Sequence, residues 1–268
     1  MGSSTISLGL GLGGGKASTI SGRPAGGGAF ANEYSVDFDG TNDYCEIGSV
    51  TGFTLYGASL WFKPDATVSS SGDPRYLIAL GDYDEGICMG GDISSKLTNE
   101  IIAVLGAGGN YLWGYESDSA TISTAWHHLA ITWNSGSSST SSGNPGYDIY
   151  LDGVNVGNGY GQWGSSPSAF TCDFIRIGAK NRSSALSRYF TGLIDEVAVF
   201  SSALSSSDIT AIYNSGTPAD LTDYSPVGWY RMGDNDGGTG TTITDQGSAG
   251  DDGTLINGPA FSSDVPSA

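Results

Sequence analysis

The residues best equipped for chemistry in this chain are two adjacent acids in an apolar run, Leu193-Ile194-Asp195-Glu196-Val197. Retaining hydrolysis of a glycosidic bond takes two carboxylates about 5 Å apart, commonly alternating along one strand so that both face the cleft. Successive residues of a strand point to opposite faces, so Asp195 and Glu196 are not expected to form that pair. The same alternation separates His127 from His128, and no Ser or Cys elbow stands out beside them. Catalysis is therefore not expected. Asp195 still needs a partner, because a carboxylate buried among apolar neighbours must find hydrogen-bond donors or a cation. Amides of a nearby loop would meet the need in one way. Calcium would meet it in another, with oxygen ligands from Asp195 and from Asp39 or Asp43 of the FDGTNDY turn.

The stretch from Asp234 to Asp245 has Asp at the first and third positions of a calcium loop, Asp234 and Asp236. Gly238 and Thr239 then stand where a ligand and the turn glycine belong, and Asp245 stands in place of Glu. It reads as a solvated Asp/Gly turn. Aromatic rings offer a different chemistry, stacking on sugar rings. Trp61, Trp126 and Trp133 lie in strand patterns and are expected in the core. Tyr111, Trp113, Tyr115, Tyr160 and Trp163 fall in Gly-rich segments, are expected on loops, and form the candidate glycan-contact set. Cys45, Cys88 and Cys172 are odd in number, share no metal-like spacing and each lie in an apolar run. They read as small buried hydrophobes with reduced thiols, one disulfide being the alternative.

Strands must position these residues. From Tyr34 the pattern alternates, turns at Asp39-Gly40 and alternates again, as a hairpin does. Ala58, Leu60 and Phe62 share a face, as do Leu129, Ile131 and Trp133, and Tyr147, Ile149 and Leu151 before an Asp152-Gly153 turn. Period-two segments separated by Gly, Ser and Asn turns predict an all-β antiparallel β-sandwich. One short helix is predicted after Ser205, an N-cap with Asp208 three residues on and Leu204 placed to staple Ile209; Gly216 ends it.

Composition narrows the function. The chain has 268 residues, with 43 Gly and 9 Pro, and 28 acids against 10 bases give a formal charge of −18. That balance excludes nucleic-acid binding by counterion release. No run approaches the ~18 apolar residues of a membrane helix, so no membrane insertion is expected. Residues 1–33 form a Gly-rich arm whose ordering would need neighbouring surfaces. The arm lacks the charged start and apolar block of a secretory signal, so export by such a signal is not expected.

The segments VDFDGTNDYCEIG, ASLWFKP, WHHLAITW, IYLDGVNVG, IRIGAKN and GLIDEVAVFSSALSSSDITAIYNSG, in this order, resemble the laminin-G-like branch of the concanavalin A-like jelly rolls. The resemblance implies two curved antiparallel sheets over residues 34–219, often a structural cation near the FDG turn, and glycan or protein binding rather than catalysis. The E-x-D-x-x-E arrangement of its glucanase members is absent. Residues 220–268 depart from the family order: VGWYRMGDNDGG and TITDQGSAGDDGTLINGP look like pieces that usually precede the FDG hairpin. They are expected to complete the same sandwich as permuted strands, pairing near residues 34–48 or 190–200 of the same subunit or of a neighbour; a partial second copy of the domain is the alternative. The arm, the permuted order and the GWYRMGDND wording are similar to tailed-bacteriophage virion proteins, especially those of marine cyanobacteria. That resemblance implies a capsid-decoration, tail or fibre accessory that assembles in the host cytoplasm. Its arm would hold other virion proteins, the chain would be a homo-oligomer within the particle, and the sandwich would meet host-surface polysaccharide. A free-standing bacterial lectin is the alternative.

Overall fold

A computed structural model describes residues 30–66, 74–81, 85–89, 101–107, 110–116, 122–138, 145–163, 170–182 and 185–267. Nearly all of the predicted arm lies outside them. The chain divides into Met1–Phe30 and a compact unit, Ala31–Ala268. The first half of that unit is built of β1 (Ser35–Asp39), β2 (Tyr44–Thr54), β3 (Gly57–Pro64), β4 (Arg75–Ala79), β5 (Gly86–Met89), β6 (Ile101–Ala107) and β7 (Asn110–Glu116). Next come β8 (His127–Ser138), β9 (Pro145–Leu151), β10 (Val154–Trp163), β11 (Thr171–Ile177), the small pair β12 (Lys180–Arg182) and β13 (Ala185–Ser187), and β14 (Thr191–Phe200). Helix α1 (Ser206–Tyr213) follows, then β15 (Gly228–Tyr230), β16 (Thr242–Ile243), β17 (Gly253–Ile256) and β18 (Ala260–Ser262).

The ladders are antiparallel and run β16-β17-β2-β11-β4-β5-β6-β7-β10-β9-β8-β3-β14-β1-β18, with β15 beside β14 and β12-β13 a separate pair. This is the all-β sandwich that the alternation predicts. Phe62, Leu129, Ile131, Trp133, Tyr147, Ile149, Leu151 and Ile194 meet in its core. Alternation explains their inward side; Val154, opposite Leu151 beside the Asp152-Gly153 turn, is 63% exposed.

The C-terminal segment is laid into the same unit. Val197, Ala198 and Val199 pair with Tyr230, Trp229 and Gly228. Thr254–Ile256 pairs with Tyr44–Glu46, and Ala260–Ser262 with Ser35–Asp37. Tyr230, Met232, Ile243 and Leu255 thereby enter the main core. The fit at β17 is close, because a Cβ on Gly253 would lie 2.7 Å from Cys45 Sγ. Helix α1 starts where Ser205 and Asp208 form a reciprocal capping box. It stops at Asn214 in the left-handed conformation, φ 47°, two residues before the predicted Gly216. Asn is the non-glycine residue best suited to that conformation, so it ends the helix first.

Two predicted placements are corrected here. Tyr111, Trp113 and Tyr115 lie on β7, and Tyr160 and Trp163 on β10, not on loops. Their Gly-rich surroundings are tolerated because the register of these paired strands shifts between Gly159 and Gly161. Of the three Trp expected in the core, Trp133 is there, stacked on Tyr147. Trp61 is buried as expected, against His128 and Tyr213 under α1. Trp126 is only half-buried, and its Nε1 donates to Asp264 Oδ1 at 2.8 Å. All three cysteines are free and buried, and burial raises each thiol pKa. No helix among the described residues is long and apolar enough to cross a membrane.

Candidate functional site

The acids on β14 do not obey simple strand alternation. The register against β3 shifts between Asp195 and Ala198, and Glu196 sits at φ 47°. This bulge turns the Glu196 carboxylate to the side already taken by Asp195, which corrects the expectation of opposite faces. Asp234, from the turn after β15, joins them, and carboxylate oxygens of the three lie within 4.8 Å of one another. A left-handed backbone on a non-glycine residue costs about 1–2 kcal/mol. The contacts that Glu196 makes must hold it there.

Every oxygen of the cluster accepts a hydrogen bond. Asp195 Oδ1 accepts from Glu196 N at 2.8 Å and Oδ2 from Asn32 Nδ2 at 2.9 Å. Glu196 Oε2 accepts from Trp229 Nε1 at 2.7 Å and Oε1 from Arg231 Nε at 2.9 Å. Asp234 Oδ1 accepts from Glu33 N at 2.7 Å and Tyr34 N at 3.1 Å, and Oδ2 from Arg231 Nη2 at 3.1 Å. Arg231 Nη2 also donates to the Ala31 carbonyl. The cluster therefore ties β14 and the C-terminal segment to residues 31–34, where the chain enters the sandwich.

Its electrostatics follow from burial. Three carboxylates face one guanidinium, and Asp195 is fully buried with Glu196 at 2% exposure. Burial raises the pKa of Asp195, and the neighbouring Glu196 charge raises it further. Burial raises Glu196 too, opposed by the charge and hydrogen bond of Arg231. Burial likewise outweighs the amides of Glu33 and Tyr34 at Asp234. Burial thus shifts all three carboxyls toward the neutral form, the usual response of a carboxylate withdrawn from water.

Asp39 and Asp43 do not join Asp195. Asp39 pairs with Thr191 on β14, four residues and about 13 Å along the strand from Asp195. Its Oδ1 accepts from Thr41 N at 2.7 Å and Asn42 N at 3.3 Å, while Asp39 N donates to Asp43 Oδ2 at 3.4 Å. The FDG turn closes on itself. A calcium ion held by Asp195 would instead draw on Glu196 and Asp234, but Arg231 already bridges those two carboxylates. Calcium takes six to eight oxygens at about 2.3–2.6 Å, and these oxygens are engaged by N–H donors. The residues fit an arginine-centred hydrogen-bond cluster and do not fit calcium while Arg231 is in place. The Asp/Gly turn that follows is similarly self-contained. Asp245 accepts the N–H groups of Trp229, Gly247, Gly250 and Asp251 at 2.7–3.1 Å.

The histidines carry polar partners that sequence reasoning missed. His128 is buried with Nε2 2.8 Å from Ser59 Oγ, and burial pushes its pKa down to about 4. His127 lies between Ser123 and Asp152. Neither serine is marked by spacing. Ser59 comes from the neighbouring β3, and Ser123 is brought round by the loop before β8.

For the aromatic set only backbone placement is described. Trp163 is opposite Tyr111, Gly161 opposite Trp113 and Asn158 opposite Tyr115 on adjacent strands; the side chains lie outside the described residues.

The carboxyl spacing at Asp195 and Glu196 comes close to that of a retaining glycosidase, yet both carboxylates are buried. Among solved structures, one described as a proposed carbohydrate binding protein from Bacteroides ovatus ATCC 8483 superposes with a TM-score of 0.61 at 19% identity, covering 88% of this chain and 61% of that one. The chain thus spans less than two thirds of that protein. The carbohydrate-binding module CBM40 of the Ruminococcus gnavus IT-sialidase, bound to α2,3-sialyllactose, gives 0.36 at 13% identity over 64% and 97%. Domains LG4-5 of mouse laminin α1 give 0.39 at 16% over 68% and 48%. No curated protein matches in sequence. The Laminin_G_3 model matches residues 39–210, and with that match across most of the sandwich the chain belongs to the concanavalin A-like lectin/glucanases superfamily.

Proposed function

We propose that this chain is a carbohydrate-binding protein that leaves glycosidic bonds intact, and that it serves as a structural component of a tailed-bacteriophage virion whose sandwich takes host-surface glycans. The observation that carries the first part is the sealed acid pair in a lectin-type sandwich. The fold is one that binds or cleaves glycans, and here both carboxylates are buried, Glu196 bonded to Trp229 and Arg231 and Asp195 to Asn32. The description of the Bacteroides ovatus protein supports the same reading. We assign the glycan contacts to Tyr111, Trp113, Tyr115, Tyr160 and Trp163, five aromatics that register brings onto the two adjacent strands β7 and β10. The virion role rests on the Gly-rich arm and on the likeness of residues 220–268 to virion-protein sequences. The arm is its attachment to the particle and to further copies of the chain.

Mass spectrometry of purified particles tests the virion role. The chain is expected at a fixed copy number per particle, and a variant lacking residues 1–33 is expected to be left out while keeping its glycan affinity. Absence from particles, with glycan binding unchanged by the deletion, would instead identify a free-standing bacterial lectin.

A further inference from the structure

Ser123, His127 and Asp152 form a polar chain separate from the acid cluster. Ser123 Oγ lies 2.9 Å from His127 Nε2, and His127 Nδ1 lies 2.8 Å from Asp152 Oδ2. Asp152 is fixed in turn, because its Oδ1 accepts the His128 N–H at 2.8 Å and its own N–H donates to the His128 carbonyl at 2.8 Å. The ring is held against Phe62, and the His127 side chain is 14% exposed, whereas Ser123 is exposed on the loop before β8. Hydroxyl, Nε2, Nδ1 and carboxylate follow in the order that links a serine nucleophile, its general base and the acid that orients the base.

We propose that Ser123 is an activated nucleophile that accepts acyl groups from small, unhindered carboxylic esters such as sugar O-acetyl groups. Ser123 Oγ attacks the ester carbonyl carbon as its proton passes to His127 Nε2. The tetrahedral oxyanion collapses, the bond to the alcohol oxygen breaks, and the imidazolium returns the proton to that oxygen. A water then gives a proton to the same nitrogen and attacks the acyl-serine. The carboxylic acid leaves, and Ser123 regains its proton. The Ala125 N–H donates to Ser123 Oγ at 3.2 Å and fixes the hydroxyl. An N–H spent on the nucleophile does not serve the oxyanion, and lack of one such donor costs about 10²–10³ in rate, so turnover is slow. Covalent capture is therefore a better readout than turnover.

The test treats the full chain with a fluorophosphonate probe and locates adducts by peptide mass spectrometry. Exposed Ser201 and Ser202 serve as internal references. Ser123 is expected to react about 10²-fold faster than either, the usual gain from a positioned general base. His127→Gln should bring Ser123 down to the reference rate, and Ser123→Ala should remove the adduct. Asp152→Asn leaves the ring in place but removes the carboxylate that orients it; it should slow the labelling of Ser123 as well, which keeps the test intact if His127→Gln does not fold. Labelling of Ser123 no faster than Ser201, or labelling that survives loss of the ring or of the Asp152 carboxylate, would show the three residues to be a structural tie between the loop and the β9–β10 turn.

Discussion

Replacing Arg231 by Met removes the guanidinium that pairs with Glu196 and Asp234 while keeping most of the apolar stem. The Arg231 side chain is 12% exposed, Glu196 3% and Asp234 4%, so solvent screens these contacts little. Breaking a buried ion pair by deleting one partner costs about 3–5 kcal/mol. For a domain of this size that corresponds to a fall of roughly 6–20 °C in Tm. The loss should depend on pH. Without Arg231, Glu196 and Asp234 must carry protons to stay buried, and the protein takes them up readily near pH 5 but not near pH 8. Urea unfolding at both pH values is the assay. The full cost is expected at the higher pH and a clearly smaller one at the lower, and adding Glu196→Gln should restore part of the stability at pH 8. A loss below about 1 kcal/mol at pH 8, or one equal at both pH values, would refute an ionised, arginine-centred cluster.

Stability of the unmodified chain should fall as pH rises from about 4 into the neutral range. Asp195 and Glu196 have folded pKa values raised by burial, so the folded state binds more protons than the unfolded one across that window. A flat profile in urea unfolding would contradict it. Asp264 acts in the opposite sense, its pKa lowered by Lys63, so Asp264→Asn should weaken the protein at neutral pH and not at pH 2. Deleting residues 220–268 removes Tyr230, Met232, Ile243 and Leu255 from the core and bares β14, β2 and β1; size-exclusion chromatography should show aggregation, and a soluble monomer of unchanged Tm would contradict the shared sandwich. Chelation should leave Tm unmoved, because N–H donors already engage the acid cluster; a drop reversed by calcium would show that a cation is part of it.

Much of the fold is legible in the sequence because it is built from period-two patterns. Phe62, Ile131 and Ile149 point to the core for the reason alternation states, and Ser205 with Asp208 caps α1 as their spacing requires. The site was less legible. Asp195 announces itself as an acid in an apolar run, but its company depends on the left-handed backbone of Glu196, and no residue type marks that bulge. It becomes possible because Trp229 and Arg231, from more than thirty residues away, hold the displaced carboxylate. Ser123 is hidden for the same reason, since its contact with His127 belongs to the path of a loop and not to a spacing. The aromatics of β7 and β10 read as loop residues because glycine is the stronger local signal, and strand pairing overrides it.

Binding of the full chain to an array of bacterial surface polysaccharides, followed by sizing of the bound material, tests the central claim most directly. Retention on at least one polysaccharide is predicted, lost on Trp113→Ala or Trp163→Ala, with the glycan chains recovered at their original length. No retention on any polysaccharide, or shortened chains whose cleavage stops with Glu196→Gln, would contradict a glycan-binding sandwich that leaves glycosidic bonds intact.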